Sequence, residues 1–546
     1  MAIVNARGFW SSTGFSMFCF VLAVFFKISL KRIFFIFGAD KFGQVVITRN
    51  FLNGHGMSID TVELTNLGHT IYQNSPDWAI GYNFLLSVFL VFTDNDFILS
   101  TLLIDCISAI IFCWYLLKLY RMMGFPSWLI NCMLVFQGLF ISRELEMSAH
   151  TDFLAMTLML AAVYYLTKFL SATPKQNLHI YFGSFLLMST GLVRYQYIPV
   201  TIVLLFLTLL LTFYKKKRQH IKPTIFSLAG LLLFFGLLIV YLYSNAENTF
   251  FLSKIKSGFF PGNLLQTYPF VPASFFNLHF LATQSTIITG IDYNMWLHVA
   301  KWINFPAFVF LAFIFLRYLW SHRFRSINMA ETFLLLGGLS AFLILGELIF
   351  LAVTKDRDIG PPLFSWSFVV SGRYFAFVQL FIQIAVAWWL FCEPKNTTIK
   401  NVIKKIFLVI IFIQIFHGAY YVTKKLKHPV PLDHTIIQYP LSTSVINFIK
   451  EETTKDTERK VIVTAFDKQY GFLASLYGAT GYFNPGELNR ILPQSKKKAV
   501  LLLMVRKKEM PYVFAFLKRP GVQYLYQLQD YFYYTYYVEP SAVLRR

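Results

Sequence analysis

The sequence predicts a polytopic α-helical membrane protein with a small α/β domain at its C-terminal end, and three observations lead to this prediction. Of the 546 residues, 56% are hydrophobic and only 14% are charged, whereas a soluble domain usually carries about a quarter charged residues. About eleven apolar segments approach the length that crosses a bilayer. Lys and Arg exceed Asp and Glu by 22, and many of them stand in short segments between the apolar runs. This pattern excludes disordered, collagen-like and coiled-coil proteins.

The apolar segments are assigned first, because a spanning helix needs roughly 20 mostly apolar residues. Segment 79–92 is shorter, and we expect it to lie in the membrane interface rather than to cross. The N-terminal run lacks a small-residue cleavage site and is predicted to be a retained span. The predicted spans fall near residues 10–30, 97–118, 126–142, 152–170, 179–193, 196–214, 223–243, 303–320, 332–353, 374–392 and 402–421.

The positive charges predict the orientation of these spans. With a cytoplasmic N-terminus and a non-crossing segment 79–92, five short basic loops lie in the cytoplasm, as the positive-inside rule expects. If segment 79–92 crossed, all five would lie outside. Lys31-Arg32 and Lys424-Lys425 fall outside in the preferred orientation. The five basic loops are 118–125, 168–178, 215–222, 317–331 and 393–405.

The chain after the last span is predicted to fold as a small α/β domain on the outer, periplasmic face. Val461–Phe466 and Ala499–Val505 have the composition of buried strands, and a tyrosine-rich strand region covers 522–538. Ser444–Glu452 and Tyr470–Tyr477 are typical of short helices. The predicted organisation is a transmembrane catalytic domain over 1–425, with outer loops at 31–96 and 244–302, followed by an outer domain over 426–546.

The first outer loop carries the most informative motif. Apolar residues from Phe42 to Leu52 recur near helical spacing and predict an amphipathic helix. Asp40 stands where an N-cap would, and Gly54 or Gly56 would end the helix. By themselves, these residues favour a capping aspartate on an interfacial helix.

The same stretch resembles the first outer loop of the GT-C glycosyltransferases that use polyprenyl-phosphate sugars. This superfamily includes protein O-mannosyltransferases and the aminoarabinose transferases of lipid A in bacteria. Its pattern is an Asp soon after the first span, an amphipathic helix with Arg-Asn-Leu-Leu-like residues, and Gly-x-Gly. Similar motifs follow in order along essentially the whole chain. The matching residues are Asp40, Arg49, Asn50, Leu52, Gly54 and Gly56, then Pro76–Tyr82, Thr151-Asp152, Gly191–Arg194 and Arg373-Tyr374.

The resemblance implies a membrane enzyme that moves a hexosyl or pentosyl group from a polyprenyl-phosphate donor to a hydroxyl of a lipid, glycan or protein acceptor. The reaction would occur at the outer face of a bacterial cytoplasmic membrane, with no nucleic-acid partner. Asp40 would be the catalytic base. Substrate and leaving phosphate would be bound by Arg49, Asp152, Arg194, Arg373 and Tyr374.

One position departs from the family pattern and bears on cofactors. Many members carry an acidic residue directly after the first-loop Asp, but this chain has Lys41. A single carboxylate does not by itself support a divalent-cation site. A divalent cation therefore stays open as a cofactor, and no metal ligand is assigned.

The residues also leave alternatives open. Arg194 and Arg373 could extend to lipid headgroups from span ends, and Asp152 could simply cap its helix. Asp96 is best explained as the N-cap of the following span. For the whole chain, the alternatives are a lipopolysaccharide polymerase or ligase of another fold, and a non-enzymatic transporter or flippase. The late outer loop 354–373 lacks the histidine expected of the former, and no repeated halves support the latter.

Overall fold

The computed structural model describes residues 13–35, 39–74, 79–141, 151–171, 177–214, 218–245, 285–292, 295–296, 328–353, 376–393, 397–427 and 440–540. The chain forms two compact units. One comprises Met1–Phe34 and Leu102–Pro429, and the other comprises Phe35–Thr101 and Val430–Arg546.

The described part of the chain is mostly helical. Up to residue 427, the elements are α1 (Thr13–Ile33), α2 (Ala39–Leu52), β1 (Ser58–Glu63), β2 (Asn66–Asn74), α3 (Ile80–Phe92), α4 (Phe97–Met122), α5 (Ser127–Gly138), α6 (Asp152–Ser171), α7 (Leu178–Val193), α8 (Ile198–Tyr214), α9 (Arg218–Asn245), α10 (Met329–Val353), α11 (Ala376–Phe391) and α12 (Thr398–Leu426). The C-terminal elements are α13 (Pro440–Lys455), β3 (Lys460–Ala465), α14 (Lys468–Leu476), β4 (Thr480–Tyr482), β5 (Ala499–Arg506), α15 (Phe514–Leu517), β6 (Val522–Leu528) and β7 (Tyr531–Val538).

Seven helices within the described residues are long and apolar enough to cross a membrane. Several of them carry large apolar side chains on their surfaces. Helix α9, for example, exposes Phe226, Leu233, Leu237 and Val240. Such surfaces are stable against lipid rather than water, so the chain is a multi-pass membrane protein. The seven candidate spans are Gly14–Ile33, Phe97–Met122, Asp152–Ser171, Tyr195–Tyr214, Arg218–Tyr241, Met329–Glu347 and Thr398–Leu426.

The remaining predicted spans are shorter helices or lie outside the described residues. Helix α5 has 12 residues, and α7 and α11 have 16 each. At 1.5 Å per residue, a 12-residue helix reaches only about 18 Å of the roughly 30 Å apolar core. Predicted span 303–320 falls outside the described residues, so the count of about eleven stays a prediction. Segment 79–92 contains the 13-residue helix α3, and its interfacial position also stays a prediction.

The second unit contains a five-stranded sheet of order β4-β3-β5-β7-β6. Strand β3 runs parallel to β4 and β5, whereas β7 pairs antiparallel with both β5 and β6. The strands and helices predicted for the C-terminal segment are all present. The three-residue strand β4 and the hairpin of β1 and β2 were not predicted.

The β1–β2 hairpin packs against the C-terminal sheet and shares its core. Val62, Leu64 and Leu67 are buried in the same cluster as Leu501 and Leu503. The contact is also hydrogen-bonded, because the Leu67 N–H donates to the Gln494 carbonyl at 2.8 Å and the Gln494 N–H donates to the Leu64 carbonyl at 2.8 Å. The segment 35–101 therefore groups with the C-terminal residues, whereas the sequence prediction placed 31–96 with the transmembrane domain.

A half-buried lysine also lies at this junction. The Lys460 Nζ on β3 donates to Thr70 Oγ1 on β2 at 2.6 Å. Burial lowers the pKa of the Lys460 ammonium to about 8, against the opposite effect of nearby Asp60. The junction between hairpin and sheet thus contains a polar contact as well as apolar ones.

Candidate functional site

Asp40 lies in the first turn of α2, the helix that comes soon after α1 in the chain. It is the second residue of Ala39–Leu52 and is half-buried. The predicted N-cap position is therefore off by two residues, since the helix begins at Ala39. A carboxylate in the first turn of a helix is stabilised by the helix dipole.

The rest of α2 differs from the predicted amphipathic interfacial helix. Its side chains are buried almost continuously from Lys41 to Thr48, and it packs against α3, β1 and α14. The Lys41 Nζ lies 4.7 Å from the centroid of the Phe35 ring. Helix α2 is thus an integral part of its unit, held by protein contacts around most of its circumference.

The motif residues at the end of α2 attach the helix to its neighbours. The Asn50 Nδ2 donates to the Ser58 carbonyl at 2.9 Å. The exposed Arg49 donates from Nη1 to the Ser475 carbonyl at 3.3 Å, at the C-terminal end of α14, where a cation also complements the helix dipole. In the structure, Arg49 thus connects α2 to α14. Its contact with substrate stays a prediction.

The glycines of the motif end this segment, as their positions predicted. Gly54 and Gly56 adopt φ values of +82° and +69°. This left-handed region is accessible to glycine without steric cost, so the two positions let the chain turn from α2 into β1.

Asp152 and Arg194 form an ion pair in the first unit. Asp152 is the first residue of α6, and Arg194 directly follows α7 in an extended conformation. The Arg194 Nε donates to Asp152 Oδ1 at 2.9 Å, and Nη2 donates to Oδ2. The Asp152 side chain is 1% exposed and that of Arg194 17% exposed. This bidentate contact fixes the plane of the guanidinium.

Two buried lysines near this pair were missed by sequence reasoning. Lys27 and Lys31 of α1 are 0% and 2% exposed. The Lys31 Nζ lies 3.7 Å from the centroid of the Phe153 ring, and Phe153 follows Asp152 directly. The Lys27 Nζ lies 5.4 Å from the same ring and donates to the Gln137 carbonyl at 3.2 Å. The term cation cluster is used below for Lys27 and Lys31, which lie against Phe153, together with the Asp152–Arg194 pair, whose carboxylate belongs to the residue before Phe153.

A signal for the lysines was available in the sequence. Lys27 and Lys31 are four residues apart at the end of an apolar helix, so they share one face. Lysines inside a span are rare and usually face a polar interior. The sequence prediction instead placed Lys31-Arg32 at the start of an outer loop.

The other predicted positions are Arg373, Tyr374 and Asp96. Arg373 and Tyr374 lie outside the described residues. Asp96 caps α4 as predicted, because its Oδ1 accepts from the N–H groups of Ile98 and Leu99 at 3.0 and 2.9 Å. In the part of the chain that the structure describes, no group of three or more His, Cys, Asp or Glu side chains could hold a metal ion.

The chemistry available to these groups is that of charge stabilisation and proton transfer. Fixed cations in a water-poor site stabilise a phosphate far better than they would in water. A half-buried carboxylate can accept a proton from a hydroxyl. Asp40 belongs to the second unit and the cation cluster to the first.

Comparisons with known proteins give only distant structural likenesses. No protein-family model matches the sequence, and no curated protein matches it. An archaeal oligosaccharyltransferase, AglB from Archaeoglobus fulgidus, solved in complex with an inhibitory peptide and a dolichol-phosphate, aligns at 10% identity with a TM-score of 0.48, covering 97% of this chain and 74% of that chain. The apo form of the Archaeoglobus fulgidus oligosaccharyltransferase aligns at 11% identity with a TM-score of 0.49, covering 98% and 75%. The same enzyme with Zn and sulfate aligns at 10% identity with a TM-score of 0.46, covering 94% and 72%.

Proposed function

We propose that this protein is a membrane glycosyltransferase of the GT-C type that transfers a sugar from a polyprenyl-phosphate donor to an acceptor hydroxyl. The observation that carries the proposal is the cation cluster, in which Lys27 and Lys31 are buried against Phe153. Arg194, which is partly exposed, is paired with the carboxylate of Asp152, the residue before Phe153. Cationic side chains grouped in a water-poor part of a membrane protein would stabilise the phosphate of a lipid-linked donor. The first-loop motif around Asp40 supports the same assignment.

In the proposed reaction, the acceptor oxygen forms a bond to the anomeric carbon of the donor sugar. The bond between that carbon and the phosphate oxygen breaks, and the polyprenyl phosphate leaves with the electron pair. Asp40 takes the acceptor proton as the general base. Arg194, held in orientation by Asp152, stabilises the charge on the leaving phosphate together with the lysines. Arg373 and Tyr374 are proposed to contact the substrate as well.

We infer an outer-face reaction in a bacterial cytoplasmic membrane from the charge pattern and the family resemblance. The five basic loops favour a cytoplasmic N-terminus and outward placement of residues after 425. The acceptor is proposed to be a lipid, a glycan or a protein hydroxyl. No nucleotide is required, because the donor already carries an activated sugar–phosphate bond.

The test of the base assignment compares two neutralised carboxylates in the first-loop segment. In a deletion strain complemented with Asp40→Asn, the transferred sugar should be missing from the acceptor glycan while the membrane abundance of the protein is unchanged, because the amide cannot accept the proton. Lipid and glycan mass spectrometry measures the missing mass and identifies the sugar. Glu63→Gln is the matched control, since Glu63 is an exposed carboxylate on β1, and its strain should make normal glycan.

One outcome would contradict the role of Asp40, and another would contradict the glycosyltransferase assignment as a whole. Normal glycan in the Asp40→Asn strain overturns the role of Asp40 as base. An unchanged set of glycans and lipid-linked sugars in the deletion strain itself overturns the glycosyltransferase assignment.

A further inference from the structure

The C-terminal domain contains a groove that the proposed reaction does not use. It has a volume of about 460 Å³ and lies between one face of α13 and the edge of the sheet at β6 and β7. Thr443, Asn447, Glu451 and Lys455 line one wall at four-residue intervals, which places them on a single helix face. This volume falls within the roughly 300–1,000 Å³ typical of small-molecule sites.

Two tyrosines form the opposite wall and are held in fixed orientations. Tyr526 stacks on Tyr533 with ring centroids 4.6 Å apart, and its hydroxyl hydrogen-bonds to Ser444. The Tyr537 hydroxyl donates to Glu452 at 3.2 Å. Tyr526 and Tyr537 nevertheless remain 39% and 38% exposed. Aromatic surface that is both exposed and immobilised is ready to bind a ligand at low entropic cost.

The charges around the groove compensate one another. Lys455 bridges Glu451 at 2.9 Å and Glu452 at 3.0 Å. Arg459 also bridges Glu452, at 2.9 Å, and its guanidinium lies 5.2 Å from the centre of the Tyr537 ring. Two acidic and two basic side chains leave no net charge, so the groove presents hydrogen-bonding groups without attracting a strongly charged ligand.

We propose that this groove binds a neutral oligosaccharide, namely the glycan part of the acceptor to which the sugar is added. A sugar ring has an apolar C–H face that packs on the electron-rich face of an aromatic ring. Its hydroxyls match the carboxylate, amide and hydroxyl groups of Glu451, Asn447 and Thr443. Only the identification of this glycan as the acceptor rests on the proposed function.

The test measures binding of oligosaccharides to the full-length protein, purified in a detergent without a sugar headgroup so that the detergent does not compete. A printed array of neutral oligosaccharides built from hexoses, deoxyhexoses and N-acetylhexosamines is the probe, and affinities of the binders are measured by titration calorimetry. The wild type should bind at least one class of neutral glycan. Tyr526→Ala and Tyr537→Ala should weaken this binding about tenfold or more, because each removes a stacking surface.

Control variants keep the test informative if the tyrosine variants misfold. Asn447→Ala removes one exposed amide from the groove without disturbing the core, and it should weaken binding several-fold. Tyr512→Ala removes another exposed tyrosine of the same unit that does not line the groove, and it should bind like the wild type.

Three results would overturn the proposal. The first is absence of glycan binding by folded wild-type protein. The second is glycan binding that is unchanged in both Tyr526→Ala and Asn447→Ala. The third is preferential binding of a peptide array by the same groove, which would make it a peptide-docking surface.

Failure here is distinguishable from failure of the proposed reaction. The Asp40→Asn protein should bind the glycan as well as the wild type does while transferring no sugar. If the wild-type protein binds the glycan but transfers no sugar, the glycan-binding proposal stands and the glycosyltransferase proposal is wrong. If Asp40→Asn abolishes transfer but the wild-type protein binds no glycan, the glycosyltransferase proposal stands and the glycan-binding proposal is wrong.

Discussion

Arg194 and Asp152 show how the structure changes the interpretation of a charged residue at a helix end. An arginine at a span end can simply extend to lipid headgroups, but here Nε and Nη2 both contact one buried carboxylate. The plane of the guanidinium is therefore set by Asp152. If Arg194 stabilises the leaving phosphate, Asp152 acts through it as a positioning residue.

Breaking this pair should destabilise the protein. Asp152→Asn leaves a largely buried guanidinium without its counter-ion, which costs about 3 kcal/mol. We expect a lower midpoint of thermal unfolding in detergent, followed by tryptophan fluorescence. Replacing both partners, as Asp152→Asn with Arg194→Gln, should recover part of the loss, because no unpaired charge then remains. If the double variant loses as much stability as Asp152→Asn and Arg194→Gln do in sum, the two residues do not interact energetically.

The two buried lysines of α1 add to the same neighbourhood. Their ammonium groups lie against the ring of Phe153, and cation–π contacts of this kind gain strength when water is excluded. If the proposed donor binds at the cation cluster, these two ammonium groups would stabilise its phosphate together with Arg194.

At the scale of secondary-structure elements, the β1–β2 hairpin is the main finding. The hairpin contributes apolar side chains to the core of the C-terminal sheet and hydrogen-bonds to the loop before β5. A small sheet domain gains proportionally more from such additions, because little of its surface is otherwise buried. The hairpin also fixes where α2, and with it Asp40, lies in the unit.

Gly68 on β2 tests this packing. A Cβ at position 68 would lie 2.9 Å from Ser495 Oγ and 3.1 Å from the Lys497 amide nitrogen. Gly68→Val should therefore push the hairpin away from the sheet and destabilise the unit by about 1–3 kcal/mol. Limited proteolysis of the purified protein should cleave the hairpin faster in this variant. Gly486→Val is the matched control, since a Cβ there has no neighbour within 4 Å; equal cleavage of both variants would contradict the packing argument.

At the scale of the whole molecule, charge and apolar length predict the membrane organisation. Seven candidate spans are present among the described helices, and the basic segments between apolar runs predict which side each loop faces. The excess of 22 positive charges is therefore interpreted as a topology signal rather than as a nucleic-acid surface.

The orientation is testable by cysteine labelling of intact cells. The native cysteines are first replaced by alanine, and Thr457→Cys and Gln219→Cys are then introduced separately at exposed positions. A membrane-impermeant maleimide should label Thr457→Cys, which lies in the predicted outer domain. It should label Gln219→Cys only after the membrane is permeabilised, because this position lies in a predicted cytoplasmic loop. The opposite labelling would invert the proposed topology.

The features that depend on local pattern could be predicted from the amino-acid sequence alone. Long apolar runs gave the helices, and alternating and continuous apolar stretches gave β3, β5 and the tyrosine-rich strands, because hydrophobic periodicity is a property of neighbouring residues. The motif around Asp40 was likewise readable from residues that are close in the chain. Its glycines predicted the turn after α2.

Contacts between groups that are distant in the chain could not be predicted from the sequence and are known from the folded structure. The Asp152–Arg194 pair, the burial of Lys27 and Lys31, and the joining of the β1–β2 hairpin to the C-terminal sheet all depend on contacts between segments far apart in the chain. The groove at α13 likewise exists only because one helix face meets strands some 80 residues later, as the Ser444–Tyr526 contact shows. Periodicity indicates which face of an element is apolar, but not which element covers it, because that is determined by the packing of the whole unit.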